Sequence, residues 1–166
     1  MFTLKHLSRD GIEAALEKAE RYRLLNEPWE AESICADVLV TDPENRRALI
    51  TMLLSLTDRF ERQPGAVATA RGLLPRLERE YDRRYYEGII HERRGKAALM
   101  QNLPGGGPMV HDALQQAMTC YEAAERLRPP GNDDAILRWN TCARLIMAHE
   151  HVQPGTGERA VPVMLE

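Results

Sequence analysis

The chain is poor in aromatic residues (5% of 166), holds three cysteines, and has only a small surplus of acidic charge. With 22 Lys and Arg against 25 Asp and Glu, the net charge is −3; no global field draws in a polyanion, and nucleic acid is disfavoured as a partner. Cys35, Cys120 and Cys142 are odd in number, widely spaced and set among apolar neighbours. That excludes a closed disulfide framework and fits buried thiols in a reducing compartment. No apolar run approaches the ~18 residues of a membrane span, and residues 1–8 carry no signal-peptide core. A cytoplasmic protein with no membrane partner is expected.

Also missing is any strict apolar–polar alternation, the mark of a half-buried strand. What is present is 43% apolar and 28% charged residues, ordinary usage for one folded domain. The apolar residues recur at three- and four-residue spacing, which predicts helices. Asp10-Gly-Ile-Glu13 has capping-box form, followed by Ile12, Leu16, Ala19 and Tyr22 on one face of a first helix that should stop near Asn26. Pro28 suits the first turn of a second helix carrying Ala31, Ile34, Cys35, Val38 and Leu39. Asp42-Pro43 offers a cap and a first-turn proline for the third, with Leu49, Met52, Leu53, Leu56 and Phe60, ended by Gln63-Pro64-Gly65.

The fourth helix carries Val67, Ala70, Leu73, Leu74 and Leu77, and Pro75 should kink or end it by removing a hydrogen bond and crowding the Arg71 carbonyl. A fifth runs from about Tyr81 to Met100, and Pro104-Gly-Gly-Gly-Pro108 turns the chain between two overlong helices. The sixth shows Val110, Leu114, Ala117, Tyr121 and Ala124 before Pro129-Pro130-Gly131. The seventh starts at Asn132 as cap and carries Ile136, Trp139, Ala143 and Ile146; residues 152–166 lack any period and read as a flexible tail.

Internal repetition organises these helices. Ala31, Val38 and Pro43 lie 86 residues ahead of Ala117, Ala124 and Pro129, and Cys35 falls opposite Tyr121. On these residues the chain resembles the tetratricopeptide repeat family, whose unit is a helix pair of about 34 residues with small side chains at the helix crossing and a terminal proline. Residues 12–45 fit through Tyr22, Ala31 and Asp42-Pro43-Glu44-Asn45, with Ala19 in place of the usual Gly and Cys35 in place of an aromatic. Residues 46–80 match at Ala66 but lack the terminal proline; residues 81–131 supply Gly88, Gly95, Ala117, Tyr121, Ala124 and Pro129. Gly95 and Ala117 are 22 residues apart, an insertion of 17 over the family's spacing, and residues 132–150 would be the capping helix. The resemblance implies an all-α, antiparallel helix-pair solenoid of about seven helices, in a single domain over residues 1–151.

It also implies a binding mode: the first helices of successive units line a concave groove that takes up a peptide or helix of another protein. Carried over residue by residue, the lining would be Glu13, Leu16, Glu20, Arg23, Arg47, Ile50, Leu54, Asp58, Tyr85, Ile89, Glu92 and Arg93, of whose apolar members about half should instead pack between helices. The extended hairpin around residues 96–116 is a second surface. Leu16 and Glu20 stand where members that grip chaperone C-termini have Lys and Asn, which disfavours that ligand. An adaptor is therefore expected, with a secretion-type chaperone, and more remotely an RNA-binding repeat using residues 83–96, as alternatives.

Catalysis has no positive sign. No Ser–His–Asp, Cys–His or paired-carboxylate arrangement can be read, and Gly105-Gly106-Gly107 has neither a preceding strand nor a following Gly-Lys-Ser/Thr to cradle phosphate. His149 and His151 lack further ligands nearby, His149 being better placed to serve the helix C-terminus, so neither metal nor cofactor is expected. Tyr85, Tyr86 and Trp139 read as packing residues, and Arg83, Arg84, Arg93, Arg94 and Lys96, interleaved with Asp82, Glu87 and Glu92, as a paired, solvated face. Val161-Pro-Val-Met-Leu165 is an apolar extended segment expected to occupy this molecule's groove or a neighbour's, the latter giving a homo-oligomer.

Overall fold

The computed structural model describes residues 2–155. Among them the regular structure is helical throughout: α1 (Ile12–Leu24), α2 (Pro28–Thr41), α3 (Arg46–Thr57), α4 (Ala66–Leu73), α5 (Glu80–Gln101), α6 (Gly107–Glu125) and α7 (Asp134–Ala148), with 3₁₀ turns at Arg9–Gly11 and Leu74–Arg76. No described helix is long and apolar enough to cross a membrane.

The turn chemistry explains where the helices begin and end. Pro28 opens α2, where its missing N–H costs nothing. Asn26 and Asn102, in left-handed conformations at φ 61° and 44°, end α1 and α5 with the residue type that best tolerates that region after glycine. α4 stops at Leu73, and Pro75 sits in the 3₁₀ turn that follows, after which Leu77 is extended and buried. α5 and α6, at 22 and 19 residues, are the two longest helices and are joined across Pro104 and the glycines.

Three expected caps differ. Asp10 lies inside the 3₁₀ turn rather than before the helix, so its carboxylate is not at the free amides, and α1 starts with no side-chain cap. α3 is capped by Asn45, whose Oδ1 accepts from the Ala48 N–H at 2.9 Å, while Asp42 accepts from the Asn45 amide at 2.9 Å. Pro43 is left in the turn. At α7, Asp133 holds the cap position, and Asn132 Oδ1 accepts from the Asp134 N–H at 3.0 Å.

Each helix packs on its neighbours in sequence, most extensively α5 on α6, and α1 also touches α3, and α3 touches α5. The core follows that order as a series of clusters. Ala19, Ala31 and Cys35 fill the α1–α2 crossing; Leu49, Leu53, Leu56, Ala70, Leu77 and Ile90 fill α3–α4–α5; Ile89, Leu114, Ala117, Tyr121 and Cys142 fill α5–α6–α7. The 86-residue correspondence reappears in burial, since Ala31 and Ala117, Cys35 and Tyr121, and Val38 and Ala124 are all fully buried. At the crossing Ala19 accompanies Cys35, whereas the larger Tyr121 ring lies over Gly88. The smaller residue on one helix makes room for the larger one on the other.

The expected tail boundary is corrected at its start. Val152 is 1% exposed and belongs to the α5–α6–α7 cluster, and the His151 carbonyl lies so close to Gly107 that any Cβ there would collide with backbone. The apolar side chain has a core position to fill, and a glycine at the start of α6 lets the chain come back to it. Residues 161–165 lie outside the described residues.

Candidate functional site

Helices α1, α3 and α5 carry all twelve expected lining residues apart from Asp58, which caps the C-terminal end of α3. Their charged side chains are brought together as ion pairs that step from one odd-numbered helix to the next. Arg47 grips Glu20 through two bonds of 2.6 and 2.9 Å and reaches Glu13 at 2.8 Å. The Arg47 hydrogen bond, opposed by partial burial, holds the Glu20 carboxyl below its ordinary pKa. Arg23 of α1 meets Asp58 at 2.8 Å, and Arg93 of α5 approaches the same carboxylate at 3.8 Å. Such partly exposed pairs add little stability; they fix side-chain positions across the face.

Glu92 continues the chain of pairs into α7. It is fully buried, accepts hydrogen bonds from Lys96 at 2.5 Å, from the Tyr121 hydroxyl at 2.6 Å and from Arg138 at 3.1 Å. Burial pushes its pKa up, but the Lys96 and Tyr121 hydrogen bonds and the Arg138 charge outweigh that, so the net direction is down and the group is a carboxylate. Burial, then the facing Glu92 charge, pushes the Tyr121 hydroxyl far up, so it stays a donor.

Three of the expected lining residues therefore do not face outward. Leu16, Ile89 and Glu92 are at most 2% exposed. The two aliphatics are taken up by the packing of α1 on α2 and of α5 on α6, and the carboxylate by its three donors. Ile50, Leu54 and Tyr85 remain half-exposed, with Tyr85 stacked on Tyr81 at 5.7 Å and tilted against Tyr121 at 5.9 Å. The outward face thus has an apolar middle of Ile50, Leu54 and Tyr85, edged by Arg23, Arg47, Arg93 and Arg138 and by Glu13, Glu20 and Asp58.

The Arg-rich stretch of α5 is largely paired. Arg84 lies 3.5 Å from Glu87, Lys96 binds Glu92, and Arg83 donates to the Leu77 and Glu78 carbonyls at 2.6 and 2.8 Å. Tyr85, Tyr86 and Trp139 pack against the α5–α6–α7 cluster, and His149 Nδ1 lies 2.8 Å from the Leu145 carbonyl near the end of α7.

Compared with protein-family models, curated proteins and solved structures, the chain matches none.

Residues that sequence reasoning missed are those whose partners lie far along the chain. Arg138 and Tyr121 stand 46 and 29 residues from Glu92, and Arg46 holds the buried Asp82 carboxylate, 36 residues on, at 2.5 and 2.8 Å. An acidic residue inside a run of apolar helix positions was the available signal. A cleft of ≈ 560 Å³ also went unforeseen. It lies at the α1–α2 and α3–α4 turns, where Arg59 stacks 3.6 Å above the Trp29 ring and pairs with Glu32. Asp58 is the one expected lining residue that reaches it.

Proposed function

We propose that this chain is a non-catalytic protein-interaction module, a short helix-pair repeat of tetratricopeptide type that presents the face of α1, α3 and α5 to a peptide or helix of a partner protein. The observation that carries the reading is the side-by-side contact of α1 with α3 and of α3 with α5, which leaves Ile50, Leu54 and Tyr85 half-exposed in a frame of fixed charges. Aliphatic and aromatic anchors ringed by both signs of charge suit a ligand that buries a few apolar side chains and pairs ions at the rim. The matching burial at positions 86 residues apart supports the repeat, as does a core arranged as successive clusters. Partners already hold Arg83, Arg84 and Lys96 of that stretch, which speaks against the RNA-binding alternative, since it needs free cations for phosphate.

The test is capture of prey from native extract by the wild-type chain and by Leu54→Arg, with thermal melting to confirm that the variant is folded. Loss of a specific prey places binding on this face. A folded variant that retains every prey rejects it.

A further inference from the structure

We propose that Glu87, His91 and Cys120 form a binding site for a divalent transition-metal ion of the zinc class. Glu87 and His91 are four residues apart on α5 and so share a face, and the packing of α6 on α5 sets Cys120 opposite them. One donor atom from each lies within 4.8 Å of the others. A tetrahedral zinc with a Zn–S bond of about 2.3 Å and Zn–N and Zn–O bonds of about 2.0–2.1 Å spaces its ligands about 3.5 Å apart, so side-chain rotations of about an ångström close the set.

The second observation is His91 itself. It is 9% exposed, and its buried Nδ1 has no hydrogen-bond partner among the described residues. A buried polar atom with nothing to bind is rare in a folded chain and needs a reason. A neutral imidazole offers one nitrogen lone pair to an ion, and the His91 ring is one of the three groups drawn together here. Cys120 and Glu87 are half-exposed, which gives an ion from solvent a way in.

The donor set selects the ion. One sulfur, one imidazole nitrogen and one carboxylate oxygen suit zinc or cobalt, whereas calcium and magnesium demand oxygen throughout. Three protein ligands leave the fourth position to water. Burial and then the Glu87 charge push the Cys120 thiol up to about 11, so the metal-free residue is a thiol at neutral pH. Binding forms the metal–sulfur bond, breaks the S–H bond and releases that proton to solvent.

The surroundings oppose a cation in part. Arg84 pairs with Glu87 from the same helix, Arg94 and, from α4, Arg71 stand near His91, and Arg84 also bears on Cys120. Thiolate and carboxylate together supply two negative charges to a doubly charged ion, and Arg84 keeps Glu80 as a second partner at 4.0 Å. The ion is therefore held exchangeably. Cys35 and Cys142 are fully buried and belong to no such group among the described residues.

The experiment is titration of the reduced full-length chain with cobalt(II), read by the near-ultraviolet thiolate-to-cobalt charge-transfer band. The expected result is a band that saturates at a single equivalent, is removed by zinc(II), persists in the Cys142→Ser chain and is lost in Cys120→Ser and in His91→Asn. In case those variants fold poorly, alkylation of the wild-type chain with and without zinc(II) is followed by peptide mass spectrometry. Zinc should slow modification of Cys120. A band that survives Cys120→Ser, or absence of both the band and the protection, overturns the site.

Discussion

Glu92 concentrates more interactions than any other single side chain of the α5–α6–α7 region, because three donors from three helices converge on one carboxylate with no exposed surface. Its pKa lies below the ordinary 4.5, so the folded chain binds a proton there less readily than the unfolded chain. The stability this adds is complete above about pH 4.5 and is lost as pH falls through the folded value. Glu92→Gln leaves Lys96 and Arg138 without their counter-charge; both are 32% exposed and can partly rehydrate, so the low end of the penalty for a broken buried pair applies, about 3 kcal/mol. At neutral pH that is a fall of about 6–12 °C in Tm. Melting curves of both proteins should converge below pH 4.5; a gap that stays constant down to acid pH contradicts the assignment.

Two glycines make an opposed pair at the same scale. A Cβ on Gly88 would stand 2.5 Å from Tyr121 Cε1, on a ring pinned by its hydrogen bond to Glu92, while a Cβ on Gly72 meets nothing within 4 Å. Replacing glycine by alanine in a helix gains up to about 1 kcal/mol, and overpacking costs about 1–3 kcal/mol. Gly72→Ala should therefore raise the denaturation midpoint and Gly88→Ala lower it. Both moving in the same direction would show that the ring has room to shift.

At the level of the helices, Ala31 is the small residue at the α1–α2 crossing and is fully buried. Ala31→Leu forces the pair apart at a cost of about 1–3 kcal/mol. Because the core is a series of clusters, the loss should stay local: amide exchange should speed up in α1 and α2 and remain slow in α5 and α6. Equal acceleration everywhere would indicate one cooperative core.

The helices were legible because their punctuation is local. Pro28, Pro64-Gly65 and Pro104 to Pro108 mark turns whatever lies elsewhere, and the three- and four-residue apolar spacing survives in the buried faces. Caps were less legible, since Asp10 misses the cap position of α1 by one residue of register and Asn45, three residues after Asp42, takes the cap of α3. The candidate face was half legible. Helix periodicity places Leu16 and Ile50 on α1 and α3 but does not say which of them a neighbouring helix covers, and hydropathy assigns Glu92 to water because it cannot see Tyr121 or Arg138. Val152 was read as tail because a lone apolar residue after a helix has no period. The Glu87–His91–Cys120 group shows no motif, its third member being on another helix.

For the molecule as a whole, Val152 is the last apolar residue described in the core, and it ties the chain after α7 to the start of α6. A chain ended after Gly155 should be more stable than one ended after His151 by about 1.5–3 kcal/mol, the worth of burying one valine side chain. Identical denaturation midpoints would mean that the segment contributes nothing. The same comparison bears on binding, because any truncation meant to free the α1–α3–α5 face must spare Val152.

Synthesis runs from the N-terminus, and this orders the events around Glu92. When α5 leaves the ribosome its carboxylate still keeps a shell of water, since the hydroxyl that will replace part of it follows 29 residues later and the guanidinium 46 residues later. The earlier hairpins can assemble while that wait lasts. The α5–α6–α7 part can shed the water only once both donors have emerged, so a nascent chain stalled before Arg138 holds a carboxylate that it cannot yet afford to bury.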